Sequence, residues 1–220
     1  MLLYYITDRS KFPGTESLRR ARLLEKIAEA ARAGVDFIQL REKDLSALAL
    51  ADLAREAIEI IGENSAEVEG SLCTRLLINS RTDVAIAVGA AGVHLPANDL
   101  SAREARGIWE GCARGARGGV DAVISVSCHT IAEVAEASME AADFAVLAPV
   151  FEKKDTAALG LDTLRTACGL GIDVIALGGV SAQNGGLCID AGAAGVAGIR
   201  LFQENDVASA VSQLRGRAGG

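Results

Sequence analysis

Eight short apolar runs punctuate the chain, and their number constrains the fold more than any other feature. They lie at Leu2–Ile6, Val35–Leu40, Arg75–Ile78, Gly92–Leu95, Ala122–Val126, Phe144–Leu147, Val174–Leu177 and Gly195–Ile199. Runs this short, apolar along their length rather than alternating, suit parallel strands covered on both faces. Helical periodicity fills the gaps. Leu50, Leu53, Ala57, Ile58 and Ile61 recur at three- and four-residue steps, with Asp52, Arg55, Glu56 and Glu59 between them, the pattern of a helix with one buried face. Further helices are expected at 17–32, 81–89, 161–169, 182–191 and 206–215. Ser101 with Glu104 and Thr130 with Glu133 have the spacing of capping boxes and mark the starts of the fourth and fifth helices. Eight βα units favour closure into a (β/α)8 TIM barrel, one domain spanning residues 1–220. An open doubly wound sheet would need a glycine-rich fingerprint after the first strand, where Thr7-Asp8-Arg9-Ser10 stands instead.

Local chemistry supports the count. Segments 33–37, 89–93, 141–144 and 192–196 echo one another where a helix should end and a strand begin, with a glycine at most of them to form a left-handed C-cap. Only 4% of residues are aromatic while half are apolar, so Ala, Val, Leu and Ile must fill the core, as they do in barrels. The longest irregular stretch, 63–74, falls between a helix and a strand and so belongs at the bottom of the barrel.

A net charge of −7 argues against nucleic acid or an anionic membrane surface as partner, since both reward basic proteins. No apolar stretch is long enough to span a membrane, and Met1–Ile6 lacks the flanks of a signal peptide. Cys73, Cys112, Cys128, Cys168 and Cys188 are odd in number, with no C-x-x-C spacing, which fits reduced thiols in a cytoplasmic protein. Adjacent Cys128 and His129 are poorly spaced to share a zinc ion.

Barrel active sites gather at strand C-termini and the loops that follow. Gln39, Arg41, Glu42, Lys43 and Asp44 follow the second run, Asn79-Ser80-Arg81 the third, and His94 to Asp99 the fourth. Ser127-Cys128-His129-Thr130 follow the fifth and Glu152-Lys153-Lys154-Asp155 the sixth. Each has a plainer reading. Arg41 is placed to close the barrel mouth in a salt bridge with Glu42 or Asp8, and His94 to be a satisfied core histidine. His129 sits where a helix cap competes with catalysis, and Lys153-Lys154 could be a solvated loop. Gly178-Gly179 and Gly198 stand where barrels hold phosphate on backbone amides after strands seven and eight; Ser181 is placed to add a hydroxyl.

Four motifs in this order, Gln39-Leu40-Arg41-Glu42-Lys43-Asp44, Asn79–His94, Ser127-Cys128-His129-Thr130 and Leu177-Gly178-Gly179-Val180, resemble those of the thiamine phosphate synthase and thiazole tautomerase superfamily. The likeness runs from Tyr5-Ile6-Thr7-Asp8 to about Phe202. It implies a cytoplasmic barrel enzyme, with a homo-oligomer left open. The implied reaction joins a hydroxymethylpyrimidine diphosphate to a thiazole phosphate, releasing pyrophosphate. By the resemblance, Gln39, Arg41, Lys43 and Asn79 bind the pyrophosphate, and Asp99 holds Mg2+. Lys43, Ser127 and His129 act beside the substrates. Gly178 and Gly179, with Ile199 and Arg200, cradle the thiazole phosphate, and Lys153 or Lys154 closes over the pyrimidine.

The chain also departs from the synthase pattern. Ser80 stands where a second magnesium carboxylate is usual, Pro96-Ala97-Asn98-Asp99 replaces a Gly-Gln-Glu-Asp sequence, and Arg200 replaces a common serine. These departures keep two alternatives beside the synthase. One is a tautomerase, which needs no metal and moves a proton with His129, histidine being a residue type suited to acid–base work. The other is a non-catalytic relative that binds a thiamine-related phosphate.

Overall fold

The computed structural model describes residues 1–65, 73–113, 122–151 and 157–217. Eight strands, β1 (Leu2–Ile6), β2 (Phe37–Leu40), β3 (Arg75–Asn79), β4 (Gly92–Leu95), β5 (Val123–Cys128), β6 (Phe144–Leu147), β7 (Asp173–Ala176) and β8 (Gly195–Gly198), pair in parallel and in chain order. β8 returns to β1, with Leu2 opposite Gly195 and Tyr5 opposite Gly198, which closes the barrel. The outer layer holds α1 (Glu16–Arg32), α2 (Ala47–Asn64), α3 (Thr82–Val88), α4 (Ala102–Ala113), α5 (Ile131–Met139), α6 (Gly160–Cys168), α7 (Gly185–Asp190), α8 (Arg200–Gln203) and α9 (Val207–Arg217).

Strand alternation sorts the core into two layers. Leu3, Tyr5, Ile38, Leu40, Leu76 and Ile78 point outward and pack under the helices. Tyr4, Ile6, Phe37, Leu77, Val146, Ile175 and Ala197 point inward and form a separate apolar plug inside the barrel. Phe37 bridges this plug, with Tyr4 and Phe144 rings 5.9 and 5.1 Å away and the Arg75 guanidinium 4.4 Å over its face.

The expected capping box is complete at Ser101 and Glu104, which bond reciprocally. It is half-made at Thr130, which accepts from the Glu133 amide while the Glu133 carboxylate accepts from the His129 amide instead. The four echoes share a left-handed residue, Gly34, Gly89 and Gly192 in three cases and Ala141 (φ 57°) in the fourth. Some boundaries moved for local reasons. β2 starts two residues late because the Val35 amide closes the end of α1 on the Ala30 carbonyl. β5 ends two residues later than expected because Ser127 and Cys128 stay in register with Val146 and Leu147. α7 starts at Gly185, after a turn in which Ser181 and Asn184 bond each other. Of segment 63–74, residues 66–72 lie outside the described residues, and Asn64 still belongs to α2. All five cysteines are free. No helix among the described residues is long and apolar enough to cross a membrane.

Candidate active site

Above the apolar plug the barrel interior turns polar. The inward positions at the C-terminal ends of β2 to β5 are Gln39, Asn79, His94, Ser125 and Ser127, and all but Ser125 line a cavity of about 710 Å³ at the mouth. Arg41, Lys43, Asp99 and His129 complete its polar wall. Gln39 is 1% exposed and donates its amide hydrogen to Asn79 at 2.8 Å. Its carbonyl oxygen is buried with no partner among the described residues. A buried acceptor left in that state is costly unless a ligand supplies a donor.

The segment after β2 is held by an ionic network centred on the buried Arg9 and Glu42. Arg9 donates to Glu42 at 3.0 Å, to Glu16 at 2.6 Å, and to both oxygens of Asp44 at 2.7 Å. Thr7 donates to Glu42 at 2.6 Å and accepts from the Arg41 amide at 2.9 Å. Burial pushes the Glu42 carboxyl up, opposed by its bonds from Thr7 and Arg9; the Arg9 guanidinium holds Asp44 below its ordinary value. The salt bridge foreseen for Arg41 is therefore made by Arg9. Among the described residues no carboxylate pairs with Arg41 or Lys43, so both cations remain available to the cavity.

On the next wall Ser80 adopts a left-handed backbone (φ 66°) and its hydroxyl bonds Asp99. The other Asp99 oxygen accepts from the Leu100 amide at 2.8 Å. No cluster of three His, Cys, Asp or Glu residues among those described could hold a metal. One carboxylate beside a hydroxyl is still a hard-oxygen set. It fits Mg2+, which keeps several waters and takes substrate phosphate oxygens with only one or two carboxylates.

His94 is both buried and part of the cavity wall. Its Nδ1 lies 2.8 Å from the Ser125 hydroxyl and its Nε2 2.8 Å from that of Ser127. Burial, helped by Arg41, pulls its pKa down to about 3, so the ring is neutral. His129 sits at the helix start and at the cavity rim together. Its amide donates to Glu133 at 2.6 Å at the start of α5, while its half-exposed ring reaches the cavity with Nδ1 3.4 Å from the same carboxylate. Cys128 faces away, buried in the outer layer.

Across the mouth, β7 and β8 build a different surface. A second cavity of about 290 Å³ shares Leu177, Gly178 and Ile199 with the first, and adds Gly179, Arg200 and Lys11. Gly178 and Gly179 have φ of 93° and 67°, and a Cβ on Gly178 would sit 2.7 Å from the Pro149 backbone. Among the described residues, the amides of Gly178, Gly179 and Val180 donate to no protein acceptor. The Ser181 hydroxyl accepts from the Asn184 amide, so it serves the turn before α7. Lys153 and Lys154 lie outside the described residues.

Lys11 escaped the sequence reading, as did the roles of Thr7 and Arg9. The signal was available, because Thr7 to Lys11 directly follow a strand end like the other mouth segments. Lys11 is brought to the cradle by Gln203 of α8, whose side chain accepts from the Asp8 amide at 2.8 Å and donates to the Asp8 carbonyl at 3.0 Å.

A family model described as thiamine monophosphate synthase matches residues 3–202. The chain is 37% identical over 223 residues to the thiamine-phosphate synthase of Methanoculleus marisnigri, covering 98% of this chain and 94% of the relative. It is 32% identical over 209 residues to that of Clostridium novyi, covering 93% and 91%. Among solved structures, the thiamine phosphate pyrophosphorylase of Pyrococcus furiosus superposes with a TM-score of 0.79 at 27% identity, covering 98% of this chain and 94% of that one.

Proposed function

The chain belongs to the thiamine monophosphate synthase family, and we propose that it joins a hydroxymethylpyrimidine diphosphate to a thiazole phosphate with release of pyrophosphate. Its homologues of that name are transferases, and the family implies phosphorylated pyrimidine and thiazole substrates. The observation that carries the reading is a cavity with two anion-receiving ends. Arg41 and Lys43, free of acid partners among the described residues, stand at one end, and the bare Gly178–Gly179 amides stand at the other.

Each end has a distinct task. As the bond to the leaving diphosphate breaks, negative charge grows on its oxygens, and fixed cations stabilise that growth more than they stabilise the ground state. Arg41 and Lys43 supply the charge, with Asn79 and Ser127 beside them. The unsatisfied Gln39 oxygen suits an N–H of the pyrimidine and would fix its orientation. Gly178 and Gly179, with the backbone at Ile199 and Arg200, hold the thiazole phosphate so that the ring nitrogen meets the carbon being released. The family typically uses Mg2+; Asp99 and the Ser80 hydroxyl would hold it, and when bound it would supply positive charge for the departing diphosphate.

Incubation with both substrates and excess Mg2+ should give thiamine phosphate and pyrophosphate by mass spectrometry. Intact substrates after prolonged incubation of folded protein would sink the proposal. The close His129–Glu133 pair favours a second reading, metal-independent isomerisation of a thiazole carboxylate phosphate. Such an activity should vanish in His129→Gln, and its persistence would exclude His129 as the proton carrier.

A further inference from the structure

A line of buried hydrogen-bonding groups runs through the barrel interior to the cavity wall. Tyr4 and Ser125 are fully buried and His94 is 4% exposed. The Tyr4 hydroxyl lies 3.2 Å from His94 Nδ1 and 3.4 Å from the Ser125 hydroxyl, and Ser125 lies 2.8 Å from the same Nδ1. On the far side of the ring, Nε2 is 2.8 Å from Ser127, which lines the cavity.

Counting hydrogens fixes the direction of this line. A neutral imidazole carries one N–H, and each hydroxyl carries one O–H. If Nδ1 held the ring proton, Nδ1 could accept nothing, and the Tyr4–Ser125 contact has room for only one of the two hydroxyl hydrogens. Whichever way they turned, one hydroxyl hydrogen would be buried without an acceptor, at a cost of about 1–3 kcal/mol. If Nδ1 is bare, Tyr4 donates to Ser125, Ser125 donates to Nδ1, and every hydrogen is placed. The ring proton then sits on Nε2 and is donated to the Ser127 oxygen. Ser127 has no other bond among the described residues, so its own hydrogen turns outward.

We infer that Tyr4, Ser125 and His94 are positioning residues that aim the Ser127 hydroxyl hydrogen into the cavity, where it meets an oxygen of the diphosphate. The ligand atom at this wall must be an acceptor. Arg41, the charge that acts on His94, stands beside the same wall and favours an anionic acceptor over a ring nitrogen. The identity of that acceptor rests on the synthase reading, whereas the direction of the line does not.

Two measurements separate these parts. Nitrogen NMR of histidine-labelled protein should show His94 as the Nε2–H tautomer at neutral pH; an Nδ1–H tautomer overturns the relay. Calorimetry with inorganic pyrophosphate and Mg2+ should show Ser127→Ala weakening binding by about tenfold, as expected for a bond to a charged group. Tyr4→Phe and Ser125→Ala, which do not touch the cavity, should each weaken it by about threefold and add nothing in the Ser127→Ala background. Inorganic phosphate affinity at the Gly178–Gly179 end should stay unchanged, as it would not if the fold were disturbed. Wild-type pyrophosphate affinity in both Tyr4→Phe and Ser125→Ala, with Ser127→Ala impaired, overturns the relay. Failure of the wild-type protein to bind pyrophosphate overturns the acceptor's identity and the proposed function, and leaves the relay to be judged by the tautomer.

Discussion

The two sides of the cavity are built from different parts of the chain. The β2–β5 wall presents side chains: Gln39, Arg41, Lys43, Asn79, Asp99 and Ser127. The β7–β8 wall presents main chain, the amides of Gly178 and Gly179, which carry no side chains. A side-chain wall needs props, which are visible in the Arg9 network beneath the β2 loop and the relay behind Ser127. A main-chain wall needs only a backbone that reaches its place. The side-chain wall is therefore the one that a single substitution can retune, and Ser80, bonded to Asp99, sits on it.

Removing a prop should do the most damage. Arg9→Met preserves much of the side-chain volume but strands Glu42, whose side chain is 2% exposed, without its cation. Breaking a buried pair in this way costs about 3–5 kcal/mol, which chemical denaturation can measure. A loss below about 1 kcal/mol would show that the wall does not depend on the pillar.

Acid should come next, acting on the same wall through His94. An unfolded histidine titrates near 6.5 and the buried one at about 3, so between those values the unfolded chain takes up the proton first. Stability is thus complete above pH 6.5 and drains as pH falls toward 3. Because His94→Asn lacks this titration, its melting temperature should lie further below wild type at pH 7 than at pH 4.5. A constant gap would mean that the ring is not held neutral.

How much of this was legible in the sequence follows the same division. The barrel could be counted because buried parallel strands are apolar on both faces, and Leu2–Ile6, Gly92–Leu95 and Phe144–Leu147 fell where expected. The inward polar positions could be picked out because Gln39, Asn79, His94 and Ser127 interrupt or end such runs. Props were harder to see. Arg9 and Glu42 are 33 residues apart, and no local spacing announces that they meet. Arg41 looked the better partner for Glu42 only because it is adjacent. The hydrogen-bond direction at His94 was unreadable, since it depends on Tyr4 and Ser125 arriving from other strands.

The third effect sharpens the contrast from the catalytic side. Arg41→Ala should lower kcat/KM for the diphosphate substrate by about 100-fold or more, the scale seen when one fixed charge-stabilising donor is removed. Inorganic phosphate binding at the cradle should remain as in wild type. If both fell together, the two ends would not be independent sites.

Lys11 offers the smallest effect and the finest test of the main-chain wall. Lys11 lines the cradle, yet its side chain is 62% exposed and its ammonium is already 4.0 Å from Asp8. A charge in that setting is screened by water and salt. The amides of Gly178 and Gly179 sit at fixed positions, and using them costs no side-chain ordering. Lys11→Met should therefore raise KM for thiazole phosphate by only about threefold at physiological ionic strength, leave kcat unchanged, and lose its effect in high salt. A loss of 100-fold would mean that the cradle works as the opposite wall does, by a side-chain charge that the backbone merely accompanies.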